Sequence, residues 1–189
     1  MGARRFGTWN GTRRAVVATV VAAVGLGGAL VAGPAFAESP AAAAAHAEPL
    51  VPGTPCSVSA KSCVDLESQR AWLIQDGKVI RGPVKISSGG NGQETPVGHS
   101  LRVYRKDRNH VSQESRLPNG DPAPMPWSVF FEDGGIAFHS GSPQRSSAGC
   151  IHLDPADAEA WFNYLQIGDM VQVVNASEEM AARNGQPPA

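Results

Sequence analysis

Cys150 stands in the run Ser147-Ala148-Gly149-Cys150-Ile151-His152-Leu153, eleven positions after the histidine of Phe138-His139-Ser140-Gly141. The other two cysteines, Cys56 and Cys63, lie close together far upstream, so Cys150 is the thiol left over. A thiol nucleophile needs a base, access to substrate and donors for a developing oxyanion. His139, at the end of a short apolar segment, is the candidate base. An imidazolium beside sulfur would favour the thiolate. Gly149 lets the backbone turn sharply and approach closely, and the amides of Ala148, Gly149 and Cys150 are candidates for an oxyanion hole. No carboxylate in the run orients His139, so the Ser140 carbonyl is the expected substitute. Two other readings stay open. His139, Cys150 and His152 would make a zinc site, although a fourth ligand is not obvious. Alternatively Cys150 is a small apolar filler and His139 a hydrogen-bonded strand-end residue.

These residues must be positioned by strands and one helix. Residues 63–67 alternate. Ala71 to Gln75, then Asp76-Gly77, then Lys78 to Arg81 reads as a hairpin, because Asp-Gly supplies the positive φ angles of a two-residue turn. Pro83 to Ser88, Ser100 to Tyr104, Trp127 to Phe131 and Ile136 to Phe138 read as further strands. Asp154 is the expected cap of a helix, with Pro155 at its first position and Asp157 favouring its positive end. Ala158, Trp161, Phe162 and Leu165 share one face of that helix. Gly168 marks a stop, and Met170 to Val174 returns as a strand. The expected class is mainly β, or α+β, with one helix packed on a sheet. The polar stretch from Lys106 to Pro126 is expected to be a loop or lid.

The N-terminal 37 residues read as a signal peptide. Arg4, Arg5, Arg13 and Arg14 form a basic region, Ala15 to Ala32 is apolar, and Ala35-Phe36-Ala37 offers a cleavage site after Ala37. An uncleaved anchor is the rival, since the run is nearly long enough to span a bilayer. Arg4-Arg5-Phe6 is only loosely like a twin-arginine signal. Cleavage would remove four arginines and no acid, moving the formal charge from −1 to −5. That balance argues against a nucleic-acid partner. Export implies an oxidising compartment, in which Cys56 and Cys63 are expected to pair, two free surface thiols being the alternative. Residues 38–55 read as an Ala/Pro-rich linker, 56–175 as the functional domain and 176–189 as a disordered tail.

The Ser-x-Gly-Cys run with its upstream His139-Ser140-Gly141 resembles the active-site motif of the L,D-transpeptidases of bacterial cell walls. The resemblance extends from about Cys63 to Val174. It includes Val64-Asp65-Leu66, the Gly-containing hairpin, Glu94-Thr95-Pro96-Val97-Gly98 and Met125-Pro126-Trp127. It implies a β-sandwich-like domain carrying a helix, no cofactor and no metal. It also implies a reaction in which cysteine attacks the L,D bond of a peptidoglycan tetrapeptide stem and passes the acyl group to an amine. Cys150 would be the nucleophile, His139 the base, Ser140 the residue that orients it, and Gly149 and Cys150 the oxyanion-hole positions. Met125, Trp127, Arg145 and His152 are the expected substrate-binding residues, and carbapenem-type β-lactams the expected inhibitors. Two departures stand out: His152 occupies a position where the family commonly has Arg, and the spacer between His139 and Cys150 is short. Histidine lacks the fixed charge and fork of guanidinium, and Arg145 is a candidate replacement. An L,D-carboxypeptidase, with water as acceptor, and a non-catalytic wall-binding protein are the competing functions.

Overall fold

The structure, a computed structural model, describes residues 38–186. The expected signal peptide and the last three residues lie outside this range. Among the described residues, no helix is long and apolar enough to cross a membrane.

The chain forms β1 (Ser62–Asp65), β2 (Arg70–Gln75), β3 (Lys78–Ser87), β4 (Gly98–Arg102), β5 (Arg105–Arg116), β6 (Pro122–Glu132), β7 (Ile136–Ser140), β8 (Ile151–Leu153) and β9 (Met170–Val174). The helices are α1 (Pro40–Ala47), α2 (Pro155–Tyr164) and α3 (Ala176–Arg183). The strands make one curled sheet in the order β4-β9-β1-β2-β3-β8-β7-β6-β5. The expected hairpin is β2–β3. Asp76 and Gly77 carry φ of 51° and 70°, the pair of positive angles that matches the strands' twist. Strand β3 joins the two halves of the sheet, pairing with β2 along most of its length and with β8 at Ile86 and Ser87.

The main core lies where α2 packs on β6, β7 and β8. Alternation sends Phe138, Ile151 and Leu153 into it, all fully buried. Ala158, Trp161 and Leu165 of α2 and its cap meet them, and the Trp161 indole N–H donates to Ser62 Oγ at 3.0 Å. Truncating so buried an indole would cost about 3–5 kcal/mol. Asp154 occupies the cap position, but its side chain makes no capping bond. A smaller cluster on the other face holds Val51, Cys56, Cys63, Trp72, Ile74 and Val174. Cys56 and Cys63 are joined as a disulfide within it.

Three expectations are corrected. The 38–55 stretch is no linker: Pro40–Ala47 is helical, Ser39 Oγ accepts from the Ala42 N–H at 3.1 Å, and Ala42, Ala45 and Val51 are buried. Tertiary burial of the alanine face supplies what the absent amphipathic pattern did not suggest. The start of the tail is α3, held by the buried Glu179. The 106–126 stretch is a long antiparallel ribbon, β5–β6, with its tip at residues 117–121. Pro122, Pro124 and Pro126 alternate, so their missing N–H groups fall along one edge. β7 reaches only Val129 to Glu132 of β6, so the stretch before Val129 is paired on one side only, with β5.

Candidate active site

The parallel pairing of β7 with β8 sets His139 beside His152 and Phe138 beside Ile151. Period-two alternation then separates two sets of side chains. Phe138, Ile151 and Leu153 face the core, while His139, His152 and Cys150, just before β8, belong to the opposite face. This face is the floor of a cleft of about 1050 Å³. The ribbon β5–β6 forms one wall, and the loop between β7 and β8 forms another. Its lining includes His139, Ser140, Cys150 and His152, together with Met125 and Arg145.

His139 is almost fully buried at 6% exposure, and its Nδ1 lies 2.9 Å from the Ser140 carbonyl oxygen. A carbonyl only accepts, so Nδ1 carries the proton and Nε2 keeps its lone pair. Burial pushes the imidazole down to about 4, against the opposing effect of the Ser140 bond. Cys150 is half-buried, and its thiol donates to the Gly135 carbonyl at 3.7 Å. Burial pushes the thiol up, although a backbone bond to Ala137 opposes it. The expected imidazolium–thiolate pair is therefore replaced by two neutral groups: burial disfavours the charged form of each.

The turn carrying Cys150 is pinned from below. Gly149 has φ +102°, and a Cβ there would meet Ile136 Cδ1 at 2.5 Å. The positive φ makes any larger residue strained, whereas the Ile136 tip could move aside. Thr95, 3% exposed, donates its hydroxyl to the Gly149 carbonyl at 2.7 Å and accepts from the Gly89 N–H at 2.9 Å. The Ser147 N–H donates to Ser88 O at 3.0 Å, and the Ser147 hydroxyl donates to the Cys150 carbonyl. The 88–95 segment thus holds the motif loop in place. Thr95 had been visible only as part of a resemblance; its role needs a contact between residues 54 positions apart.

His152 has a defined task. Its Nδ1–H is shared between the carbonyls of Ser142 and Arg145, both at 3.2 Å. Its ring meets His139 edge to face, with centroids 4.9 Å apart. Gly141 makes room: a Cβ there would lie 2.7 Å from His152 Cδ2. Burial lowers the His152 imidazole, so a neutral ring ties down the short spacer loop. Arg145 is exposed on the rim and forms no ion pair among the described residues. Trp127 does not line the cleft. Its backbone has φ +62°, and its ring packs on Phe162 of α2 beneath the Arg108 guanidinium, 4.0 Å from the centroid. The expected Trp127 contact with substrate is corrected accordingly: the indole is half-buried against the core. His139, Cys150 and His152 line the same cleft, but their donor atoms do not gather into a metal-holding cluster and both histidine Nδ1 atoms are engaged by carbonyls, so the zinc reading finds no support.

The profile of the YkuD family, an L,D-transpeptidase catalytic domain, matches residues 59–173. L,D-transpeptidase 2 of Mycobacterium tuberculosis is 23% identical over an alignment of 95 residues that covers 43% of this chain and 23% of that protein. The solved L,D-transpeptidase of Stackebrandtia nassauensis superimposes with a TM-score of 0.53 at 29% identity, covering 60% of this chain and 54% of that one. An L,D-transpeptidase solved in complex with imipenem gives 0.52 at 23% identity, covering 60% and 57%. The chain therefore spans about a quarter of the curated relative and just over half of each solved one. With a match over most of its length, on the segment that builds the cleft, the chain belongs to the L,D-transpeptidase catalytic domain family.

Proposed function

We propose that the protein is an exported, cysteine-dependent L,D-transpeptidase acting on peptidoglycan stem peptides. The observation that carries this reading is the presence of His139 and Cys150 in one cleft, with the His139 Nδ1 proton held by the Ser140 carbonyl so that Nε2 is left free. With thiol and imidazole both neutral at rest, the proton moves as attack occurs. Cys150 Sγ adds to the carbonyl carbon before the terminal D-residue, and Nε2 takes the thiol proton. The C–N bond then breaks, the imidazolium protonates the leaving amine, and a thioester remains. An acceptor amine attacks that thioester, gives a proton to Nε2 and frees the thiol.

Charge and backbone geometry support the substrate class. Arg105, Arg116 and Arg145 line the cleft against a single acid, Glu114, in a chain of net charge −1. A basic cleft in an acidic chain suits a ligand bearing carboxylates. The Gly149 carbonyl points at Thr95, so across the trans peptide the Cys150 N–H points away from Thr95. That direction suits an oxyanion donor, with the Gly149 amide beside it. The imipenem complex of a relative supports the same chemistry here: a carbapenem carbonyl would acylate Cys150. Export rests on the basic, apolar and small-residue pattern of residues 1–37.

The test is incubation with a purified disaccharide-tetrapeptide, read by mass spectrometry. A dimer lacking one D-residue supports transpeptidation. A shortened monomer assigns hydrolysis, and an unchanged substrate assigns a binding role. Cys150→Ala should lose both turnover and the carbapenem adduct while keeping its fold; turnover at the wild-type rate would refute thiol catalysis.

A further inference from the structure

Away from the cleft, three elements aim donor atoms at one point. His46 of α1 and His99 of β4 place Nε2 at 3.0 Å and 2.6 Å from the same oxygen, Oε2 of Glu179 in α3. The three donor atoms lie within 4.8 Å of one another. We propose that His46, His99 and Glu179 form a structural zinc site that clasps α1 and α3 onto the edge strand β4.

The surroundings fit a metal. The Glu38 carboxylate contacts His46 Nδ1, the carboxylate–histidine arrangement that orients a metal-bound imidazole. The other Glu179 oxygen accepts from Arg183 Nε at 2.8 Å, which fixes the carboxylate and leaves Oε2 for the ion. Arg183 also donates to the carbonyls of Ala45, His46 and Glu48, so the frame around the donors is rigid. His46 thus has a carboxylate at each ring nitrogen. A neutral imidazole has one N–H and satisfies only one of them. A protonated ring would satisfy both, and so would a cation between Nε2 and Oε2, which leaves Nδ1–H for Glu38. Zinc bonds of about 2.0–2.1 Å put tetrahedral ligands about 3.3 Å apart, so to admit the ion the rings must draw back from Oε2, by about 0.3 Å at His46, now at 3.0 Å, and about 0.7 Å at His99, now at 2.6 Å. Two imidazoles and a carboxylate are a donor set suited to zinc, with water in the fourth position. The side chains of His46 and His99 are 12% and 15% exposed, which leaves an entry path. None of the three residues lines the catalytic cleft.

The test uses untagged protein stripped with EDTA, titrated calorimetrically with zinc chloride and analysed for metal after desalting. One zinc per chain is expected in the wild type and in Cys150→Ser, with a rise in melting temperature. His99→Ala should bind at least a hundredfold more weakly, with no zinc-dependent rise. Glu38→Gln, which alters only the group behind His46, should weaken binding roughly 10–100-fold and decides the case if His99→Ala fails to fold. Wild-type protein that takes up no zinc would overturn the proposal, as would uptake that is lost in Cys150→Ser, or unchanged affinity in both His99→Ala and Glu38→Gln.

Discussion

Thr95→Val keeps the shape of a buried side chain and deletes one hydroxyl. That hydroxyl serves two backbone groups. Gly149 is buried, so its carbonyl would be left without a partner, costing about 1–3 kcal/mol. Gly89 is half-buried, and water can reach its N–H, so that loss is nearer 0.5–1.5 kcal/mol. The total is roughly 2–4 kcal/mol, which moves a urea midpoint down by about 1–2 M for a protein of this size. The effect on chemistry is larger. Once the Gly149 carbonyl is released, the Gly149–Cys150 peptide can rotate, and the Cys150 amide leaves the oxyanion position. Removal of one such donor costs about 10²–10³ in rate. The assays are urea unfolding and the rate of carbapenem adduct formation, each on Thr95→Val and Thr95→Ser. Serine keeps the hydroxyl and should restore most of both. A valine variant with wild-type midpoint and acylation rate would refute the reasoning, as would a serine variant as damaged as valine.

Acidification should expose the buried His139. Its imidazole is depressed to about 4 from 6.5, so the unfolded chain binds a proton that the folded chain refuses. The stabilisation is fully present above pH 6.5 and is lost as pH falls toward 4, by about 3 kcal/mol. Urea midpoints at pH 7, 5.5 and 4 should fall in wild type and fall less in His139→Gln; parallel curves would contradict this. The Cys56–Cys63 bridge closes a short loop, for which the chain-entropy relation gives about 2.5 kcal/mol. Replacing both by serine should lower stability by about that amount, and the unreduced wild-type protein should show one titratable thiol, at Cys150.

The parts of the fold that the sequence disclosed are those specified locally. Asp76-Gly77 states its own turn, α2 carries its apolar face in its spacing, and the motif around Cys150 is contiguous. The rest depends on partners distant in the chain. Helix α1 is an alanine run whose burial comes from tertiary packing. Helix α3 looks like a polar tail because its most buried residue is Glu179, whose partners are His46, His99 and Arg183. The ribbon β5–β6 reads as a loop because three prolines obscure its alternation, and its pairing shows only in the register of the two strands. Within the site, His139, Ser140, Cys150 and the family position of His152 were legible. The hold of Thr95 on Gly149 and the bonds from His152 to Ser142 and Arg145 were not, since neither follows from local pattern. Trp127 was misread for the same reason: its partner is Phe162, on a helix that the sequence gives no reason to place there.

The pairing of β1 with β9 bears on how the chain reaches this structure. These strands run parallel, with Ser62 beside Val171 and Asp65 beside Val174, so β1 pairs with a segment synthesised long after it. Until it arrives, β1 has one bare edge, and β4, whose sheet neighbour is β9, has nothing to pair with. Closing so long a loop is slow relative to forming the β2–β3 hairpin. A nascent chain that has not yet delivered Met170 to Val174 therefore leaves β1 paired on one side only and β4 unpaired, whatever else of the sheet has formed.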